Sequence, residues 1–264
     1  MRTKMIAGNW KMNNSQAATK DFVESLESWF AAEPAGKKAA SAVASGKIEV
    51  VIAPSFTSIE AARAARKSDI IQLAAQNVHH ESKGAFTGEV SLPMLEEAGC
   101  KYVIIGHSER RHVFHESDEA LEKKLIATLE AHLLPIFCVG ELLEERNAGE
   151  AEKVLDRQLG FAWKSLTSDV VGEMLVIAYE PVWAIGTGQT ASDADAEKAC
   201  DYIRSLAYDK FGITASESLR ILYGGSVKPE NSASLLSQKN IDGLLIGGAS
   251  LEVESFEKII ETAV

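Results

Sequence analysis

The chain has 264 residues, of which 46% are hydrophobic, and a formal net charge of -11 at pH 7. The length suits one large α/β domain or two small ones, and the hydrophobic fraction is enough for a sizeable core. The acidic balance argues against a broad surface for nucleic acid or an anionic membrane, although it leaves room for a small anion site made of backbone N–H groups. No apolar run approaches the roughly 18 residues that a membrane span requires.

Three cysteines, Cys100, Cys138 and Cys200, are widely spaced and odd in number. They predict neither a disulfide framework nor a metal motif, and a reducing compartment fits them best. The first apolar stretch is interrupted by Asn9 and Lys11, too early for the core of a signal peptide. We therefore expect a cytoplasmic protein.

Eight short apolar runs recur along the chain with little alternation between polar and apolar residues. Such runs are typical of strands that are buried on both faces of a parallel sheet. The predicted strands are Lys4–Gly8, Ile48–Ala53, Ile70–Ala75, Tyr102–Ile105, Leu134–Val139, Met174–Tyr179, Leu219–Tyr223 and Gly243–Ile246.

Helical patterns with one apolar face lie between these strands, and the clearest one begins with a capping box of Ser192 and Asp195. Because strand and helix alternate, about eight strands at this length favour a closed parallel (β/α)8 barrel over an open doubly wound sheet. We interpret residues 1–264 as a single α/β domain. The predicted helices are Ser15–Ala32, Ile59–Lys67, Ser117–His132, Glu150–Leu166, Ser192–Ala207, Pro229–Ser237 and Leu251–Thr262.

The segment Ala31–Lys47 is rich in Ala, Gly, Lys and Ser. Its composition predicts a surface extension of the first helix followed by a linker. Because the segment precedes a strand, we expect it at the N-terminal face of the barrel, away from any chemistry.

Candidate catalytic and binding residues follow the predicted strands. In a barrel, the residues after each strand converge at the C-terminal face, so their convergence is a stronger signal than any single motif. These residues are Asn9, Lys11, His107, Glu109, Glu180, Gly224, Gly225, Ser226, Gly247 and Gly248.

Glu180 ends a predicted buried strand, and the glycines Gly186 and Gly188 follow it closely. A buried carboxylate must be paired or poised for proton transfer, because an unpaired buried charge costs several kcal/mol. We interpret Glu180 as a general base beside a mobile lid whose backbone N–H groups hold an anion. A structural ion pair is the alternative interpretation.

His107 precedes a predicted helix start at Ser108–Arg111. The free N–H groups and positive dipole end there are expected to keep the imidazole neutral, with its far nitrogen donating a hydrogen bond that polarises a carbonyl. A purely structural histidine is the alternative. Lys11, taken alone, is consistent with an exposed loop lysine.

Two glycine pairs follow the last two predicted strands, and Ser226 adjoins the first pair. This construction predicts a phosphate site formed by the loops after strands 7 and 8, and plain turns are the alternative.

His79 and His80 have no third ligand at a sensible spacing, so no metal site is expected. Cys138 is interpreted as a structural thiol. The acidic cluster interpreted as a solvated helix face comprises Glu141, Glu144 and Glu145 with Arg146.

Four segments together resemble the signature segments of the triosephosphate isomerase family, in the same order from end to end. The resemblance implies a TIM barrel that interconverts dihydroxyacetone phosphate and D-glyceraldehyde 3-phosphate through an enediolate, in glycolysis and gluconeogenesis, with no metal or cofactor. The segments are AGNWKMN (7–13), GHSERR (106–111), AYEPVWAIGTG (178–188) and YGGSV (223–227).

The same resemblance implies roles for individual residues. Glu180 is the expected base, His107 the neutral electrophile and Lys11 the positive charge at the enediolate oxygens. Asn9 is expected to hydrogen-bond the substrate, and Glu109 to orient these groups without touching it. The expected phosphate-binding backbone belongs to Gly186, Ser226, Gly247 and Gly248.

The resemblance also implies a homodimer. The loop Gln76–Ser91 is similar to the family's interface loop, which reaches into a pocket beside Lys11 and Met12 of the partner subunit. Phe86 and Val78 on that loop are expected to lack burial in a lone chain. A self-packed Ω-loop is the alternative.

Two departures from the family pattern are visible. Gln189 stands at the far hinge of the expected lid, where the family more often has Lys, and the segment Ala31–Lys47 is longer than the commonest family form. Two other functions stay open at this point: a barrel isomerase for another sugar or ribosyl phosphate, and a catalytically idle barrel that serves as a binding scaffold.

Overall fold

The computed structural model describes residues 2–184 and 191–264. Across these residues, parallel strands pair in chain order and the last strand pairs with the first, which closes a barrel. The closed parallel (β/α)8 fold predicted from the sequence is confirmed. The strands are β1 (Lys4–Asn9), β2 (Ile48–Ala53), β3 (Ile71–Ala75), β4 (Cys100–Ile105), β5 (Leu134–Val139), β6 (Val176–Tyr179), β7 (Arg220–Tyr223) and β8 (Gly243–Ile246).

Helices surround this barrel. Among the described residues, no helix is long and apolar enough to cross a membrane. The helices are α1 (Gln16–Ala32), α2 (Pro34–Ala44), α3 (Ile59–Ala65), α4 (Leu92–Glu97), α5 (Ser108–His112), α6 (Asp118–Glu130), α7 (Leu143–Asn147), α8 (Ala151–Ala162), α9 (Ser168–Glu173), α10 (Asp193–Ser218), α11 (Pro229–Leu236) and α12 (Val253–Thr262).

The strands bury both of their faces in two separate apolar clusters. On β1, Met5 and Ala7 belong to the cluster inside the barrel, whereas Ile6 packs in the layer between barrel and helices. Because successive side chains of a strand point to opposite faces, both sets must be apolar. This explains why the sequence of the strands lacks the alternation of a half-exposed sheet.

The interpretation of Ala31–Lys47 as a helix extension plus linker is wrong. Glu33 is extended (φ -77°, ψ 142°), and a separate helix, α2, begins at Pro34. Proline suits the first position of a helix because its missing N–H would have no partner there. The new helix contacts α1, α12 and β2, and it buries Gly36, Ala39 and Ala42.

Other differences from the predicted helices concern short elements and one continuation. The helices α4, α7 and α9 were not predicted, since each has five or six residues and therefore too few turns for a clear apolar period. The predicted cap of α10 is present: Ser192 Oγ accepts from the Asp195 N–H at 3.1 Å. Beyond the predicted end, α10 continues to Ser218 through a kink at Gly212, whose φ of 83° suits glycine.

Gly36 is expected to be needed for the close packing of α2 on α1. A Cβ at this position would overlap the carbonyl of Trp29, so Gly36→Ala should lower the free energy of unfolding by about 1–3 kcal/mol. Gly160→Ala in α8 is the matched control, because nothing lies within 4 Å of a Cβ there and alanine favours a helix by up to about 1 kcal/mol. Urea unfolding of both variants provides the measurement; equal midpoints for Gly36→Ala and wild type would contradict the packing.

Candidate active site

A cavity of about 560 Å³ lies at the C-terminal ends of the strands. Seven of the nine residues to which the family resemblance gave a role line it, and an eighth, Glu109, contacts Lys11. Gly186 and the hinge residue Gln189 lie outside the described residues. The lining includes Asn9, Lys11, His107, Glu180, Ser226, Gly247 and Gly248.

The centre of the site is a buried pair of Glu180 and His107. Glu180 Oε1 lies 3.0 Å from His107 Nε2, and Glu180 Oε2 accepts the N–H of Ser108 at 2.9 Å. Both side chains of the pair are almost completely buried. Each carboxylate oxygen therefore has a donor, as a buried charge requires.

The pair shifts the pKa of both members. Burial raises the pKa of Glu180. The charge and hydrogen bond of His107, together with the hydrogen bond from the Ser108 N–H, lower it by a larger amount, so the net pKa lies below its ordinary value. Burial lowers the pKa of His107, and the Glu180 carboxylate raises it to a net position above its ordinary 6.5. Protonated His107 therefore stabilises the fold fully below pH 6.5, and this contribution is lost as the pH rises through the folded pKa. The Glu180 contribution is present above pH 4.5 and is lost as the pH falls through its folded pKa.

The tautomer expected for His107 fits the structure, and Glu180 adds an influence on its pKa that the sequence did not indicate. His107 Nδ1 accepts the N–H of Glu109 at 3.2 Å, which leaves Nε2 as the nitrogen that carries the proton of a neutral ring. The helix start at Ser108 is present as α5. However, the contact with Glu180 raises the pKa, and a sequence has no means of placing that carboxylate against Nε2.

Lys11 stands in the left-handed backbone region with φ 53°, which is uncommon for a residue with a side chain. Three neighbours hold it there. Its N–H donates to Asn9 Oδ1 at 3.1 Å, its carbonyl accepts from Gln76 Nε2 at 2.8 Å, and its ammonium lies 2.8 Å from Glu109 Oε1. The lysine is therefore a fixed group that lines the cavity, and the exposed-loop alternative does not describe it.

The chain approaches Glu180 closely from two sides. A Cβ on Gly140 would overlap the carbonyl of Glu180, and a Cβ on Gly224 would lie 3.0 Å from its Cγ. Arg111 adds a clamp by donating to the carbonyls of Gly106 and Cys138 at 2.8 and 3.0 Å. Strands β4, β5, β6 and β7 thus position one carboxylate together.

The glycine side of the cavity lies next to Lys11. A Cβ on Gly247 would lie 3.7 Å from Lys11 Cε. A Cβ on Gly248 would have no atom within 4 Å. Asn231 of α11 holds the backbone of Ser226 by donating to its carbonyl at 3.0 Å. Ser226, both glycines and Lys11 therefore line a common space, the combination of residues that an anion site uses.

The interpretation of Glu141 as part of a solvated helix face is wrong. Its side chain is fully buried before α7 and accepts from Tyr179 Oη at 3.1 Å and from Trp183 Nε1 at 2.9 Å. Arg146 lies over the Trp183 ring at 4.5 Å and contacts Asp195 at 2.7 Å. These contacts anchor both chain ends that flank residues 185–190.

The loop Gln76–Ser91 packs partly on its own chain. The expectation that Val78 lacks burial is wrong, because Val78 belongs to the apolar cluster around the barrel. Phe86 packs on His79 with ring centroids 4.1 Å apart and remains 43% exposed. His79 also stacks on His80, with centroids 4.5 Å apart.

Cys138 is fully buried inside the barrel. Burial, and next the negative charge of Glu180, raise the pKa of its thiol well above the ordinary value. A protonated thiol is a poor nucleophile, and the interpretation of Cys138 as a structural residue fits this environment.

Comparison with known proteins places this geometry in one family. The family model for triosephosphate isomerase matches residues 4–263. The chain is 48% identical over 260 residues to the triosephosphate isomerase of Moorella thermoacetica, an alignment that covers 98% of both chains. It is 47% identical to that of Syntrophotalea carbinolica, over 99% of this chain and 98% of the other. It is 46% identical to the triosephosphate isomerase of Symbiobacterium thermophilum, over 100% of this chain and 98% of the other.

The chain belongs to the triosephosphate isomerase family. The family resemblance found in the sequence is thereby confirmed. Within this family member, sequence reasoning missed three positioning residues: Gln76, Arg111 and Glu141. Arg111 lies inside a signature segment, so the motif held a signal for it, whereas nothing in the local sequence distinguishes Glu141 from its exposed neighbour Glu144.

We expect Glu180→Gln to lower the pKa of His107. The substitution removes the carboxylate that raises this pKa, while burial, which lowers it, remains. The measurement is a pH titration of the His107 ring resonances by NMR. Glu109→Gln is the control and should give a smaller decrease, since Glu109 makes the weaker contribution; an unchanged His107 pKa in Glu180→Gln would contradict the pairing.

Proposed function

We propose that the chain interconverts dihydroxyacetone phosphate and D-glyceraldehyde 3-phosphate by proton abstraction through an enediolate, in glycolysis and gluconeogenesis. Membership of the triosephosphate isomerase family supports the reaction. The observation that carries the residue roles is the 3.0 Å contact between Glu180 Oε1 and His107 Nε2 in a cavity that Lys11 also lines.

Glu180 is the proposed base. Its lowered pKa keeps the carboxylate ionised at neutral pH and so ready to accept a proton. In this structure both of its oxygens accept hydrogen bonds. The carboxylate must therefore exchange one of these donors for the C–H group beside the substrate carbonyl, and then deliver the proton to the neighbouring carbon.

His107 and Lys11 are the proposed donors to the oxygens that gain charge. A proton beside a carbonyl is weakly acidic, so donors placed in advance at the developing oxyanion are the largest single influence on the barrier. His107 Nε2 already carries its proton towards Glu180, and Asn9 and Glu109 hold Lys11 in place. Asn9 is also proposed to hydrogen-bond the substrate directly.

The phosphate group is proposed to bind at the glycine side of the cavity. Ser226, Gly247 and Gly248 line that side, and the ammonium of Lys11 adds a positive charge. Gly186 is proposed to add a backbone N–H from the segment outside the described residues. The proposed proton shuttle requires side chains and backbone donors alone, and we propose no cofactor.

Glu180→Asp tests the role of the base. Removal of one methylene withdraws the carboxylate by about 1 Å, and we expect turnover of glyceraldehyde 3-phosphate to fall by about 100-fold or more. A coupled assay that follows the product gives the rate, and circular dichroism checks that the fold is intact. The exposed Glu144, changed to Asp, is the matched control and should leave the rate unchanged.

Two outcomes would contradict this proposal in different ways. An inactive wild type would refute the reaction, and assays with other aldose and ribosyl phosphates would then identify an alternative barrel isomerase. A wild-type rate in Glu180→Asp would leave the reaction in place and remove Glu180 from its role.

We further propose that the chain forms a homodimer through the loop Gln76–Ser91. Large apolar side chains on this loop and near the site are exposed in the single chain: Met12 is 95% and Phe114 61% exposed, besides Phe86 and Val113. Apolar surface of this kind marks an interaction site on a soluble protein. Gln76 ties the loop to Lys11, so contact with a partner would also support the site.

Met12→Glu tests the dimer. A charge buried without a partner is costly, so we expect the variant to be monomeric at concentrations where the wild type is dimeric. Sedimentation velocity at micromolar concentration gives the mass. Ile213→Glu on α10 is the matched control, because Ile213 is also exposed (65%) yet lies away from the loop in the sequence. A wild type that is monomeric throughout would refute the interface.

A further inference from the structure

A second cavity, of about 800 Å³, lies at the N-terminal end of the barrel, opposite the candidate active site. It is formed where β1 begins, where α2 ends and where the chain follows α12. The cavity therefore depends on α2, the helix within the segment Ala31–Lys47. This helix has no role in the proposed reaction. The lining comprises Arg2, Lys4, Lys38, Ser41, Ala42, Ser45, Gly46, Lys47, Ala263 and Val264.

The charge of this lining differs in sign from that of the whole protein. Four basic side chains line the cavity, and none of the described lining residues is Asp or Glu, whereas the chain carries a net charge of -11. Like charges repel one another, so such a cluster costs free energy unless something compensates it. Arg2 is compensated by Asp242 and Glu217, with contacts of 2.5 and 3.3 Å.

Two of the three lysines, Lys4 and Lys47, have no such compensation from the residues described. Lys4 is half-buried and Lys47 is exposed, and neither side chain forms a hydrogen bond or an ion pair with another described residue. Lys38 Nζ donates to the backbone oxygen of Val264 at 3.2 Å. Lysines from three different segments thus line one cavity, and two of them have no acceptor among the described residues.

The dipole of α2 does not account for these lysines. The C-terminal end of a helix favours cations in its last turn, but the last turn of α2 contains no basic residue. The partial negative charges at the C-terminal ends of α2 and α12, about half an elementary charge each, oppose an anion in the cavity. Three ammonium groups outweigh them.

We propose that this cavity binds a small anion that carries two or more phosphate groups, of the pyrophosphate type. Ammonium groups bind phosphate as point charges, and a ligand with two or three negative charges matches the three lysines. Ser41 and Ser45 also line this space, and the Ser45 hydroxyl donates to the carbonyl of Ala42 at 3.1 Å. The inference does not rest on the proposed function, because the two cavities lie at opposite ends of the strands.

The test is calorimetric titration of the full-length chain with sodium pyrophosphate. We expect Lys4→Gln/Lys47→Gln to bind about tenfold more weakly than wild type, because two ion pairs are lost. Lys20→Gln/Lys67→Gln is the matched control: it removes the same charge from exposed positions outside the cavity and should change the affinity by less than about twofold. Added salt should weaken wild-type binding, since it screens the lysines.

Pyrophosphate can also enter the candidate active site, so the rate of the isomerase reaction is measured in parallel. We expect Lys4→Gln/Lys47→Gln to retain wild-type turnover and wild-type inhibition by pyrophosphate, since neither lysine lines that site. Wild-type affinity in Lys4→Gln/Lys47→Gln would overturn the proposal and assign the binding to the other end of the barrel. An equal loss in the control variant would overturn it as an effect of overall charge, and so would a wild type that does not bind.

Discussion

Glu180 holds a negative charge where only 2% of its surface meets solvent, and two donors from one turn of backbone keep it there. His107 and the N–H of Ser108 come from the end of β4, while the carboxylate comes from the end of β6. A buried carboxylate that lost both donors would cost several kcal/mol. The spacing of the ends of β4 and β6, which lie on either side of β5, is therefore tied to this one charge.

Strain at Lys11 is the complementary constraint. A non-glycine residue in the left-handed region costs about 1–3 kcal/mol, and it persists only where its surroundings fix it. Asn9, Gln76 and Glu109 do so from three different strand ends. The lysine follows β1 and the carboxylate follows β6, so the two groups reach the cavity from different strands, each held by several contacts.

The sequence predicted much of this architecture because its signals were local. Unalternated apolar runs located the strands to within two residues at either end, and the polar residues after them located the site. Contacts that depend on distant parts of the chain were missed. The sequence does not distinguish Glu141 from Glu144, whereas the structure shows Tyr179 and Trp183 donating to Glu141. Val78 lies in a loop sequence, and only the structure shows that it is buried in the apolar cluster around the barrel.

The misprediction of α2 and the missed partner of His107 have different sources, one local and one distant in the sequence. The composition of Ala31–Lys47 suits a linker, and only the extended backbone at Glu33 followed by proline separates it into two helices. For His107 the adjacent helix start was visible in the sequence, but the carboxylate that governs its pKa lies 73 positions further along the chain.

The pairing of β1 with β8 carries a consequence for synthesis of the protein. On the side away from β2, residues 5–8 find their partners only at residues 243–246. A chain still emerging from the ribosome therefore has a sheet with two unpaired edges for almost the whole of translation. Open edges recruit other strands, and a parallel sheet forms slowly because its contacts are distant in sequence. The two edges of the nearly complete barrel therefore stay open to other strands until β8 has left the exit tunnel and paired with β1.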